Sequence, residues 1–285
     1  MNNLKCFGFL LLSVVFIACD KQNESSKSKT AKQVLTSKVL QREVSYQIYF
    51  PKTYQDSLQS FPIIYLLHGH GGDEKDWFQK EEGNVASLLD SLIDYSFLPP
   101  SLAVSVNAGN SWYVNGPEAM QDFYLKEFIP FVESTYRVNT KSGRIIAGNS
   151  VGGYGALRFS LLKPSFFKEV ILLSPASYEP LPPAISSSRK IPVFAKDGEF
   201  NDSIWNSYSY THLWENLQAS KKIPQYHLSV GDDDAYNIVP VVTTLQQRML
   251  KDTITNELRI TNGGHDWKCW KTNFASALVT ISKKD

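Results

Sequence analysis

The sequence predicts an α/β domain with a mostly parallel central sheet and helices on both of its faces. Two observations carry that prediction. Short apolar runs ending in glycine or proline recur along the chain: "FPIIYLLHG", "SLAVSVNAG", "SGRIIAG", "FKEVILLSP" and "PQYHLSVG". An unbroken apolar run of that length reads as a strand buried on both faces. Helical stretches separate the runs, and strands alternating with helices build parallel sheets covered on both sides. With 285 residues, 42% of them apolar and 13% aromatic, the chain can fill one large core.

The N-terminus departs from this pattern. "MNNLK" gives a short positive start, and the apolar stretch "CFGFLLLSVVFIA" is too short to span a bilayer comfortably. It ends "FIACD", which resembles a bacterial lipoprotein signal with a small residue before the lipidated cysteine. The expectation is a leader over residues 1–18, lipidation at Cys19, and export to a membrane facing the periplasm or cell exterior. An ordinary cleaved secretory peptide is the alternative. "DKQNESSKSKTAKQ" follows as a polar tether, which places the tether at 19–36 and the folded domain at 37–285. Cys6 falls in the leader and Cys19 is the lipid site, so Cys269 has no intramolecular disulfide partner.

"REVSYQIYFP" alternates Val44, Tyr46, Ile48 and Phe50 against polar neighbours, the pattern of a half-exposed strand. "GPEAMQDFYLKEFIPFVESTYRV" reads as a helix with Pro117 in its first turn and a kink at Pro130. Residues 176–215, with "EPLPPAISSSRK", break the rhythm and read as an excursion between two strands. No internal repeat is visible. The formal net charge is +1 without a block of like charge, which gives no footing for nucleic acid.

Chemistry concentrates at "RIIAGNSVGGYGALRF", where Ser150 stands between a strand and a helix. A serine hydroxyl needs a base beside it and an exposed, rigid position to act as a nucleophile. G-x-S-x-G supplies the position: Gly148 and Gly152 leave room for a strained strand-to-helix turn. The competing reading, a phosphate cradle, lacks the G-x-G-x-x-G spacing and any following G-K-[ST].

The order Ser, acid, His then sets the search for partners. His227 alternates within a strand and reads as structural. His212 sits in a helical stretch with no glycine to open the chain. His265, in "RITNGGHDWKCW", follows a strand and two glycines and is the candidate base. "HLSVGDDDAY" ends a strand and offers Asp232, Asp233 and Asp234, among which the pattern alone does not choose. Aspartates there can also serve as a turn or as caps of the following helix. For the oxyanion, the Val151 amide supplies one donor, and the glycine loop "LLHGHGG" the second, with His70 ahead of Gly71. The set His68, His70 and Asp73 is a thin one for a metal, so no metal and no cofactor is expected.

"LLHGHGGDEKDWF", "NSWYVNG", "AGNSVGGYGAL" and "NGGHDWKCW" together resemble the esterase D-like branch of the α/β-hydrolases. That branch includes tributyrin esterases, S-formylglutathione hydrolases, feruloyl and acetylxylan esterases, and mycolyltransferases. The resemblance runs from about residue 65 to 270 and implies the α/β-hydrolase fold. It implies Ser150 as nucleophile, His265 as base and, three residues after the strand-end glycine, Asp234 as acid. Asn149 replaces a common Leu or His, and Val151 a common Met. "SWYVNG" points toward the tributyrin esterases and short acyl chains, with Trp112, Tyr113 and Trp267 as pocket candidates. The 176–215 excursion is where substrate preference would be set.

The expected function is a membrane-tethered serine carboxylesterase for small or short-acyl esters. A polysaccharide esterase of the feruloyl or acetylxylan kind, or an acyltransferase, uses the same residues. A non-catalytic binding module on the same scaffold is the alternative of another class.

Overall fold

Two antiparallel strands begin the fold: β1 (Lys29–Ser37) and β2 (Arg42–Phe50), paired along their whole length. The structure, a computed structural model, describes residues 27–283. The expected leader and the lipid site at Cys19 lie outside the described residues. The expected tether ran to residue 36, yet Lys29–Ser37 is a strand. Its composition is polar because it is an edge strand, held by backbone bonds to β2 while most of its side chains face solvent.

Six parallel strands follow: β3 (Ile63–Leu67), β4 (Leu102–Val106), β5 (Arg144–Asn149), β6 (Glu169–Leu173) and, past a small β7 (Ala195–Lys196) and β8 (Glu199–Phe200) pair, β9 (Gln225–Gly231) and β10 (Asn256–Thr261). The main sheet has eight strands in the order β1-β2-β4-β3-β5-β6-β9-β10. All its pairings from β4 to β10 are parallel, and β2 joins β4 antiparallel.

Burial on both faces explains the unbroken apolar runs. In β3, Ile63, Tyr65 and Leu67 enter one core while Ile64 and Leu66 enter the other. The second core is closed by α1 (Val85–Asp94) and, at the C-terminus, by Trp270, Phe274 and Leu278. The first is closed by α2 (Met120–Asp122), α3 (Ile129–Thr135), α4 (Val151–Leu162), the excursion helices α5 (Asp202–Ser207) and α6 (Trp214–Gln218), and α7 (Ile238–Lys251). α8 (Trp267–Ser282) is the C-terminal helix on the second face.

One helix differs from the reading of the sequence. It begins at Met120, not near Pro117, because Asn115 Oδ1 accepts the Asp122 N–H and Glu118 pairs with Arg42. Pro130 does not end it. A π-helical stretch over Phe123–Phe128 precedes α3, at the turn whose carbonyl would otherwise accept from the N–H that proline lacks.

Candidate active site

Ser150 sits at the β5–α4 junction with φ +53° and ψ −116°, a conformation that costs roughly 1–3 kcal/mol for a residue with a side chain. The surroundings hold it there. Its N–H donates to Leu173 C=O at 2.8 Å, and its C=O accepts from Tyr154 and Ala176. Two glycines make the turn possible by close approach. A Cβ at Gly148 would lie 2.2 Å from Gly152 backbone, and one at Gly152 would lie 2.2 Å from Leu67 C=O.

Three strand ends deliver the partners. His265 follows β10 and places Nε2 2.9 Å from Ser150 Oγ. Its Nδ1 lies 2.7 Å from Asp234 Oδ2. A carboxylate only accepts, so Nδ1 carries the proton and Nε2 is free to accept from the serine hydroxyl. Asp234, on the loop after β9, has a fully buried side chain, and its Oδ1 accepts the Tyr236 N–H. The structure therefore separates the three aspartates. Asp233 is exposed, and Asp232 ties the two loops together by accepting the Gly263 N–H at 3.0 Å. None of the three caps α7, whose first turn follows Asn237.

The imidazole is fixed on its faces as well. The Tyr236 ring lies 4.5 Å from it and Trp270 meets it edge-on at 5.0 Å. Asp266 caps α8 by accepting the Cys269 N–H, which sets the chain direction just past His265. Cys269 itself is buried, with Thr261 Oγ1 and Asn273 Nδ2 beside its sulfur, and burial pushes its thiol pKa up.

The loop after β3 forms the other lip. Gly69 packs against Ser150, and His70 follows it into the cavity wall. The Gly71 N–H donates to Asn110 Oδ1 at 2.8 Å, which leaves His70 as the better placed of the two oxyanion candidates. Val151 is the first residue of α4, so its N–H has no acceptor within the helix. His68 is buried, with Nδ1–H donating to Gly69 C=O and Nε2 accepting the Ala108 N–H. Both ring nitrogens are thus committed to backbone groups and unavailable to a metal, and burial pushes the ring's pKa below its ordinary value.

A cavity of about 370 Å³ lies over these groups. Trp112 and Trp267 line it, as the sequence suggested. Tyr113 does not: it is wholly buried, its hydroxyl donating to His68 C=O at 3.0 Å, so it braces the loop from below. The excursion supplies a wall through Tyr178, Ser186, Ser187 and Lys190. Asn149 and Val151 line it too, at the floor where the sequence departs from the common residues, and Asp76, Tyr236 and Trp270 join them without having been assigned to the pocket from the sequence. Burial pushes the Asp76 carboxyl pKa up. For Trp270, nearness in sequence to His265 was the one available signal.

The profile of the family described as "Putative esterase" matches residues 37–281. The chain belongs to this family. Its members are serine hydrolases acting on ester bonds. An acetyl esterase of Caldicellulosiruptor saccharolyticus is 27% identical over 271 residues, covering 87% of this chain and 96% of the relative. A solved ferulic acid esterase superposes with TM-score 0.76 at 23% identity, over 91% of this esterase and 99% of that chain. A fluorophosphonate-binding serine hydrolase of Staphylococcus aureus, FphF, gives TM-score 0.73 at 16% identity, over 90% and 98% of the two chains. These likenesses give the esterase the α/β-hydrolase fold.

Proposed function

We propose that this esterase is an exported serine carboxylesterase hydrolysing small or short-acyl esters through Ser150, His265 and Asp234. The observation that carries the reading is the unbroken line from Asp234 through His265 to Ser150, at 2.7 and 2.9 Å. Ser150 Oγ attacks the ester carbonyl as its proton passes to His265 Nε2. Asp234 keeps the ring in the required tautomer and stabilises the imidazolium through Nδ1–H. The N–H groups of Val151 and His70 receive the oxyanion, each such donor being worth about 3 kcal/mol in the transition state. His265 then protonates the leaving alcohol and activates the water that releases the acyl group. The reaction calls for no cofactor.

The small cavity suits an acetyl or other short acyl group. Its aromatic walls also favour a second reading, a polysaccharide esterase for acetyl or feruloyl groups, in line with the names of the acetyl esterase and ferulic acid esterase relatives. Export and anchoring at Cys19 rest on the "FIACD" motif.

The test is hydrolysis of p-nitrophenyl esters from acetate to octanoate by the chain lacking residues 1–19. Wild type is expected to turn over acetate or butyrate, and Ser150→Ala to lose turnover and fluorophosphonate labelling. A wild type that neither hydrolyses the series nor takes the label would make the protein a binding module on a hydrolase scaffold.

A further inference from the structure

The end of the sheet opposite the candidate active site carries features that ester hydrolysis does not use. The first is charge. A groove of about 1260 Å³ runs under the starts of β3, β5 and β6, and its cationic lining is Lys141, Arg144, Lys168, Lys221 and Lys222. Among the described residues Glu169 is its one acidic member, and that carboxylate already accepts from the His227 ring at 2.8 Å. Arg144 is paired with Glu133. The four lysines, from three different loops, are exposed. The chain as a whole carries only +1, so a groove lined by five cationic side chains and one carboxylate is locally basic. The loop after β3 at the opposite end mixes both signs, with Lys75 and Lys80 among Asp76, Glu81 and Glu82.

The second feature is apolar exposure at the same end. Leu58 is 95% exposed, Tyr95 76%, and Phe97 and Ile223 44% each. They sit on the loops that lead into β3, β4 and β9. Single exposed apolar residues are ordinary, but four large ones sharing one end with a lysine cluster form an amphipathic surface.

The third is the point where the chain enters the fold. Lys29 pairs with Phe50 at the end of β2, and Ser28 Oγ donates to Asp90 on α1 at 2.6 Å. Tyr49 of β2 lies opposite Ala103 near the start of β4, so entry is from the lysine-rich end. Ten peptide units separate Cys19 from Lys29, a reach of about 35 Å at full extension.

We propose that this end docks on the anionic headgroups of the bilayer to which a lipid at Cys19 would hold the chain. The lysines meet the headgroup phosphates, and Leu58, Tyr95, Phe97 and Ile223 enter the headgroup layer. The identity of the membrane rests on the anchoring proposed above; the surface itself does not need the lipid. In this orientation the Ser150 cavity, at the far ends of the strands, opens to the aqueous phase. It then takes dissolved esters, not bilayer lipids.

The experiment uses the chain from Asp20 onward, which keeps every described residue and lacks the lipid site. It is sedimented with vesicles of phosphatidylcholine alone or mixed with phosphatidylglycerol. Binding is expected to the anionic vesicles only and to weaken with salt. Lys221→Glu with Lys222→Glu should weaken it more than about tenfold, and Leu58→Ser with Tyr95→Ser should weaken it at every salt concentration. Lys80→Glu with Lys196→Glu, at the active-site end, should bind as wild type. Equal binding to both vesicle types, or equal loss from the two lysine pairs, would overturn the docking surface. Hydrolysis of p-nitrophenyl acetate, measured on the same samples, reports separately on the proposed esterase function.

Discussion

Ser150 Oγ and His265 Nε2 stand 2.9 Å apart although 115 residues separate them in the chain. The sheet creates that proximity. β5 ends at Asn149, β9 at Gly231 and β10 at Thr261, and parallel pairing across β6 and β9 brings these carboxyl ends to one edge of the molecule. Ligands of open α/β sheets bind at that edge. The strained backbone at Ser150 then lifts the hydroxyl clear of its neighbours toward the imidazole.

The acid can be tested by removing charge while keeping shape. Asp234→Asn presents an amide where His265 Nδ1–H needs an acceptor and favours the wrong tautomer, so kcat is expected to fall about 10⁴-fold. Asp232→Asn keeps the oxygen that accepts from Gly263 and should leave kcat nearly unchanged, as should Asp233→Asn at an exposed site. Steady-state kinetics on p-nitrophenyl acetate decides it. Equal losses from all three would remove Asp234 from the role.

Gly152→Ala tests the turn. The added Cβ would meet Leu67 C=O at 2.2 Å and His68 C=O at 2.8 Å, and these backbone atoms cannot yield as the end of a flexible side chain can. A loss of about 3 kcal/mol or more is expected, which lowers Tm by roughly 6–12 °C in a chain of this size. Calorimetry of the purified variant measures it, and an unchanged Tm would mean that the turn is less confined than the distances state.

The elements most legible in the sequence were those whose signal is local. A strand such as β3 announces itself because both of its faces are buried, and the Ser150 turn because its glycines are packed against backbone. β1 reads as tether in the sequence because an edge strand draws its order from β2, not from its own side chains. Tyr113 reads as a pocket wall because "SWYVNG" does not show that its hydroxyl reaches His68 C=O. The choice of Asp234 among three neighbours needed either the family resemblance or the loop geometry. Tyr178, Ser187 and Lys190 entered the cavity from an excursion whose path no periodicity encodes.

Stability should depend on pH through His68. Folded, the ring is neutral, and burial holds its pKa below the ordinary 6.5. Unfolded, it takes up a proton as pH falls through about 6.5, so the unfolded state binds more protons and the fold weakens with acidification. The slope from this residue reaches at most about 1.4 kcal/mol per pH unit. Asp76 acts with the opposite sign at lower pH: burial raises its pKa above 3.8, so the folded state keeps its proton longer. Urea unfolding from neutrality down to about pH 5 should show a flatter profile for His68→Gln than for wild type. Parallel profiles would exclude His68 as the cause.

The oxyanion loop offers a test that spares the Asp234–His265–Ser150 line. Asn110 Oδ1 holds the Gly71 N–H, and Tyr113 Oη–H holds His68 C=O, so the segment carrying the His70 amide is pinned on both sides. A backbone donor cannot be deleted by a side-chain change, but its orientation can be loosened. Asn110→Ala leaves the Gly71 N–H to water and lets the loop drift from the oxyanion position. The expected result is a fall in kcat of roughly tenfold, about 1.4 kcal/mol, with KM little changed, because the lost contact strengthens only as charge develops on the carbonyl oxygen. Tyr113→Phe should act in the same direction and also lower stability by about 1–2 kcal/mol, since it strips a buried carbonyl of its donor. A rise in KM at constant kcat for Asn110→Ala would mean that the loop binds the ground-state ester, and would shift the oxyanion role away from His70.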